Sequence, residues 1–89
     1  MEYTLSPNCQ SAIASLRSLD QMTFDRMIEW TIERRKSVKA DLMREDQAYD
    51  QRLAFFHQLL DIEAYWWAIT AECLRRENER QLERHGFTI

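Results

Sequence analysis

Apolar residues near the start of the chain recur in steps of three and four, which is the spacing of one helix face. Ser6 is a favourable cap residue, and Pro7 suits the first helical position, where no amide donor is needed. A first helix is therefore predicted to begin there, and Asp20 or Thr23 is predicted to cap the next one. The apolar face of this first helix consists of Cys9, Ala12, Ile13, Leu16 and Leu19.

A second helix is predicted from about Phe24 to about Arg44. Its inner face consists of Phe24, Met27, Ile28, Thr31, Val38 and Leu42. Trp30 points almost opposite to Ile28, so it is expected to lie away from the core. A short turn near residues 41–47 is predicted to end the helix, although no glycine or proline marks it.

A third helical segment extends from about Gln47 to about His85 and has the clearest apolar period of the chain. We name its main apolar row the first stripe: Tyr49, Leu53, Phe56, Leu60, Ala64, Trp67, Ala71, Leu74 and Leu82. The segment is longer than the second helix can cover. It is therefore expected to be covered by the first helix or by a second chain, or else to break near Asp61.

The segment "EAYWWAIT", residues 63–70, places tryptophans at the consecutive positions Trp66 and Trp67, which point about 100° apart on a helix. Trp67 belongs to the first stripe, which predicts that it is a core residue. Trp66 belongs to another apolar row, the second stripe: Phe55, Leu59, Ile62, Trp66, Ile69 and Cys73. Each apolar stripe must be covered by another helix, so two stripes on one helix need two packing partners. Either the first two helices take one stripe each, or one stripe faces another chain.

Glycine and proline each occur once, at Gly86 and Pro7, so nothing interrupts the interior of the chain strongly. Gly86 suits the left-handed position after a helix, and Phe87 is predicted to fold back onto Leu82. The predicted fold is therefore all-α: residues 1–89 form a single domain in which two shorter helices pack on a long C-terminal helix.

The net charge of −3 argues against direct binding to nucleic acid, whose protein partners are usually basic. The chain has no apolar run of transmembrane length and no signal-peptide pattern at its start. A cytoplasmic protein that does not enter a membrane is expected, with Cys9 and Cys73 reduced. A bridge between these two cysteines is possible if the first and third helices are adjacent.

Catalytic and metal-binding motifs are absent from the sequence. His57 and His85 are far apart and lack the glutamate spacing of metal helices, so no metal or other cofactor is expected. One enzyme alternative comes from a resemblance: "SLRSLD" and "IERRKSVK" resemble the opening of small helical chorismate mutases. That resemblance implies a dicarboxylate site at Arg17, Arg34 and Lys39.

A second resemblance covers residues 11–67. "TFDRMIE" and "AYDQRLAFF", followed by Trp66 or Trp67, resemble motifs of the Hha/YmoA family. These small helical proteins bind the oligomerisation region of the nucleoid protein H-NS and modulate gene silencing. The resemblance implies that Asp50 contacts a protein partner and that any effect on nucleic acid is indirect. The acidic charge and the twenty or so residues after the tryptophans depart from the family pattern.

The expected function is that of a non-enzymatic module that regulates or inhibits another protein through an aromatic helix face. The predicted partner-binding residues are Trp30, Asp50, Phe55, Leu59, Ile62, Trp66 and Ile69. The first alternative is a structural homodimer in which the second stripe contacts a second copy. The other is the mutase-like enzyme.

Overall fold

A computed structural model describes residues 3–86, and all of the regular structure in this range is helical. Helix α1 spans Pro7–Ser15, helix α2 spans Gln21–Leu42 and helix α3 spans Tyr49–Arg84. A single 3-10 turn, Leu16–Ser18, follows α1 directly. The prediction of a small all-α bundle with two shorter helices packed on a long C-terminal helix is confirmed.

The predicted helix starts are formed by side-chain caps. The Ser6 hydroxyl accepts a hydrogen bond from the Cys9 amide at 3.2 Å, with Pro7 as the first helical residue. The Asp20 carboxylate accepts the Thr23 amide at 2.8 Å, so Asp20 rather than Thr23 caps α2. The Thr23 hydroxyl, assisted by the Thr23 amide, holds the pKa of Asp20 below its usual value by hydrogen bonding to the charged carboxylate.

The turn between α2 and α3 falls where the sequence predicts it. The Gln47 amide group donates to the Arg44 carbonyl at 3.1 Å and also to the Asp41 carbonyl, and the Arg52 guanidinium donates to the Arg44 carbonyl at 3.0 Å. These bonds fasten the turn to the end of α2 and to the first turn of α3. The turn therefore needs neither glycine nor proline.

Helix α3 is continuous, so the predicted alternative of a break near Asp61 is wrong. At 36 residues it spans about 54 Å, close to the 57 Å long dimension of the molecule. It ends at Arg84 with His85 as the cap, and Gly86 after the cap has a φ of 81°, the predicted left-handed conformation. The predicted contact of Leu82 with Phe87 lies outside the described residues.

Helices α1 and α2 pack on the same side of α3. The core cluster has four buried members, Leu16, Phe24, Tyr65 and Ile69, and α1 adds the partly buried Cys9, Ala12 and Ile13. Val38 extends the buried face towards the C-terminal end of α2, where it is fully buried. Two of the residues that α3 contributes to the core, Ile62 and Ile69, belong to the second stripe.

Candidate interaction surfaces

The second stripe is the core-facing side of α3, which corrects the prediction that it faces a partner. Ile62 is 8 % exposed and Ile69 is 2 % exposed, because α1 and α2 both pack against this side. Phe55, Leu59 and Trp66 are half-buried on the same side. Of the stripe, only Cys73 is exposed. The two isoleucines are therefore used mainly by the chain's own packing in this structure.

Trp66 lies at the edge of the contact between α2 and α3. The Arg35 guanidinium lies 5.9 Å from the centre of its ring, within reach of a cation–π interaction. Arg35 also forms a two-bonded ion pair with the Glu63 carboxylate, whose longer bond measures 3.2 Å. Trp66 is thus held by its own chain.

The first stripe faces away from α1 and α2, so the prediction that Trp67 is a core residue is wrong. Trp67 is 68 % exposed and Leu74 is 67 % exposed. Tyr49, Leu53 and Phe56 are also exposed. Leu60 and Ala64, which lie between Phe56 and Trp67 along the stripe, are half-buried. Trp67 lies about 140° around the helix axis from Ile62, which explains why both cannot face the same core.

The exposed first stripe is the largest feature that sequence reasoning assigned to the wrong environment. Periodicity finds both rows but carries no information on which row the other helices cover. The sequence also contains a misleading signal. Glu72 and Arg76 lie on the same side of α3 as Ile62 and Ile69, and charged residues usually mark a solvated side.

Glu72 and Arg76 instead form a buried polar link between α3 and the start of α2. The Arg76 guanidinium lies 4.2 Å from the centre of the Phe24 ring and donates to the Leu19 carbonyl at 2.6 Å. Glu72 accepts from Arg75 at 2.6 Å and from Arg76 at 2.9 Å. The hydrogen bonds from Arg75, assisted by those from Arg76, lower the pKa of Glu72 to about 2.

Trp30 lies beside an apolar groove between the helices and is 52 % exposed. The groove has a volume of about 250 Å³ and is lined by Cys9, Ala12, Met27, Trp30, Ile62 and Tyr65. Trp30 is therefore accessible, as predicted, and its neighbour Ile62 forms part of the groove wall.

The N-terminal segment is fastened at Asp61, on the edge of this groove. The Asp61 carboxylate accepts from the Tyr3 hydroxyl at 2.9 Å and from the Ser6 amide at 3.3 Å. The Cys9 thiol donates to the Asp61 carbonyl at 3.3 Å. Burial, assisted by the charge of Asp61, raises the pKa of the Cys9 thiol, which disfavours the reactive thiolate.

The remaining predicted sites are dispersed. Asp50 is exposed in the first turn of α3. Cys9 and Cys73 are both free thiols. Within residues 3–86, no group of three or more histidine, cysteine or acidic side chains could hold a metal ion, and no helix could cross a membrane.

The arginines of the mutase alternative lie far apart. Arg17 and Arg76 line one surface depression, while Arg34 donates to the Gln58 amide oxygen at 3.1 Å. Residues 58 and 76 are separated by about 27 Å along α3. One small dicarboxylate cannot contact Arg17 and Arg34 together in this structure.

No protein-family model matches the chain, and neither a curated protein nor a solved structure shows a significant match. The resemblance to the Hha/YmoA family therefore stays a prediction.

Proposed function

We propose that this protein is a non-enzymatic interaction module that binds a helix of another polypeptide along the first stripe of α3. One observation carries the proposal: a row of large apolar side chains, including Trp67 and Leu74, lies in solvent on a helix whose opposite side packs on its own core. Exposed apolar rows of this size mark interaction surfaces. Tryptophans near the middle of such surfaces often dominate binding.

The proposal moves the binding face by about 140° from the one expected from sequence. It keeps the expected class of function, in which a small protein regulates or inhibits its partner by occupying a surface. Trp30 and its groove form a second apolar site that a partner side chain could enter. Asp50 lies in the same first turn of α3 as Tyr49, so it would lie at one end of the interface.

Photo-crosslinking in the source cells tests the proposal. A photoreactive amino acid replaces Phe56 or Leu74 in the first stripe, and Met43, which is 79 % exposed in the turn after α2, provides the control position. We expect crosslinks to another polypeptide from Phe56 and Leu74, abolished by Trp67→Lys, and none from Met43. Crosslinks from all three positions alike, or none from the stripe, would contradict the proposal.

A further inference from the structure

The large side chains of the first stripe repeat every seven residues, at Leu53, Leu60, Trp67 and Leu74. The small residues Ala64 and Ala71 follow Leu60 and Trp67 by four positions. Alternating steps of four and three are the pattern of a helix that packs lengthwise against another helix. From Leu53 to Leu74 the pattern spans about 32 Å. None of these six positions carries a charge.

We infer that the occupant of the first stripe is a second copy of this chain, with the two α3 helices antiparallel. This inference rests on the proposed function and names its partner. In this arrangement a two-fold axis passes between the helices near residues 65–66. Trp67 then packs on the partner subunit's Ala64, and Leu60 packs on the partner subunit's Ala71. Every central layer therefore combines one large and one small side chain.

A parallel pair would pack poorly. It would place Trp67 opposite the partner subunit's Trp67, and Ala64 opposite the partner subunit's Ala64. One layer would then be overfilled and the next would contain a void, whereas protein interiors need even, close packing. The order of large and small residues along the stripe thus favours the antiparallel pair.

The exposed area is sufficient for such a pair. Aromatic side chains bury roughly 150–250 Å² each, so the exposed parts of Tyr49, Phe56 and Trp67, with those of Leu53 and Leu74, provide several hundred Å² in each copy. Two copies together reach the lower end of the roughly 1,200–2,000 Å² buried by stable complexes. The residues that flank the stripe bring no like charges together in this register. Glu63 faces the partner subunit's Thr70, and Asp61 faces the partner subunit's Ala68.

Sedimentation of the full chain over a wide concentration range tests for the dimer. We expect the mass to rise from 10.8 kDa to twice that value with concentration. Trp67→Lys should weaken the association by at least about 30-fold, because it places a charge at the centre of the interface. Met43→Lys, at an exposed apolar residue outside the stripe, should leave the association unchanged. A chain that stays monomeric throughout would overturn the inference.

Cysteine crosslinking tests the orientation in a variant whose Cys9 and Cys73 are replaced by alanine. In the antiparallel pair, a mixture of Leu60→Cys and Ala71→Cys chains should form disulfide-linked dimers under mild oxidation. Neither variant alone should do so, because its two identical positions lie about 16 Å apart, beyond the reach of a disulfide. Efficient crosslinking of each variant alone would show a parallel pair and overturn the inference.

The two proposals fail in different ways. If the purified chain is monomeric while its first stripe crosslinks to a different polypeptide in cells, the second copy is wrong and the interaction module stands. If the stripe neither associates nor crosslinks, both are wrong.

Discussion

At the scale of single residues, Trp66 and Trp67 show how far sequence reasoning reaches. The rotation of about 100° between neighbours predicts that the two rings have different environments, and they do. Which ring is exposed depends on where α1 and α2 pack, and that information lies outside the local pattern. Trp66 is fixed beside Arg35, while Trp67 lies in solvent.

Glu72 is a residue whose burial the sequence pattern does not predict. Spacings of three and four residues, such as those from Glu72 to Arg75 and Arg76, are typical of ion pairs on a helix surface, and both ion pairs form. The Glu72 side chain is nevertheless only 8 % exposed, because Arg76 reaches across it to the 3-10 turn and the Phe24 ring. Removing one partner of a buried ion pair strongly destabilises the folded protein, because the other charge is left buried and unpaired.

Glu72 makes folding stability dependent on pH. Its pKa is about 2 in the folded chain and near 4.5 without these partners, so the folded state favours the charged carboxylate. The stabilisation is complete above about pH 5 and is lost as the pH falls from there towards 2. We expect Glu72→Gln to cost about 2–3 kcal/mol at neutral pH and to flatten this acid limb, as measured by urea unfolding between pH 2 and 7. An acid limb unchanged by Glu72→Gln would contradict this assignment.

At the scale of helices, the number, order and approximate bounds of the three helices could be predicted from the sequence. Caps made the starts of α1 and α2 predictable, since Ser6 and Asp20 have short side chains that accept backbone amides. The continuity of α3 could not be predicted, because a polar residue such as Asp61 fits either a break or an edge position. It lies at an edge, where it binds the N-terminal segment.

The Asp20 cap gives a prediction at this scale. Asp20→Ala removes the acceptor for the Thr23 amide, and the free energy of unfolding should fall by about 1 kcal/mol. Asp20→Asn keeps an acceptor oxygen and should recover most of that loss. Chemical unfolding followed by circular dichroism measures both variants. Equal losses in the two variants would mean that charge rather than capping matters here.

At the scale of the whole molecule, the decisive fact is that α1 and α2 share one side of α3. They leave the first stripe uncovered along most of an elongated body of 57 × 24 × 18 Å. The sequence correctly predicts two apolar stripes, and the structure leaves one of them exposed. It cannot select the stripe, because long-range packing of α1 and α2 makes that choice.

The first stripe faces outward and the second stripe faces the core. Urea unfolding of Trp67→Lys and Ile69→Lys at low protein concentration tests this most directly. Dilution keeps the chains apart, so the measured free energy reports the fold alone. We predict that Trp67→Lys stays within about 0.5 kcal/mol of the parent chain, as expected for an exposed position. Ile69→Lys should prevent stable folding, because it places an unpaired charge in the core. The reverse result, a folded Ile69→Lys and an unfolded Trp67→Lys, would contradict the account.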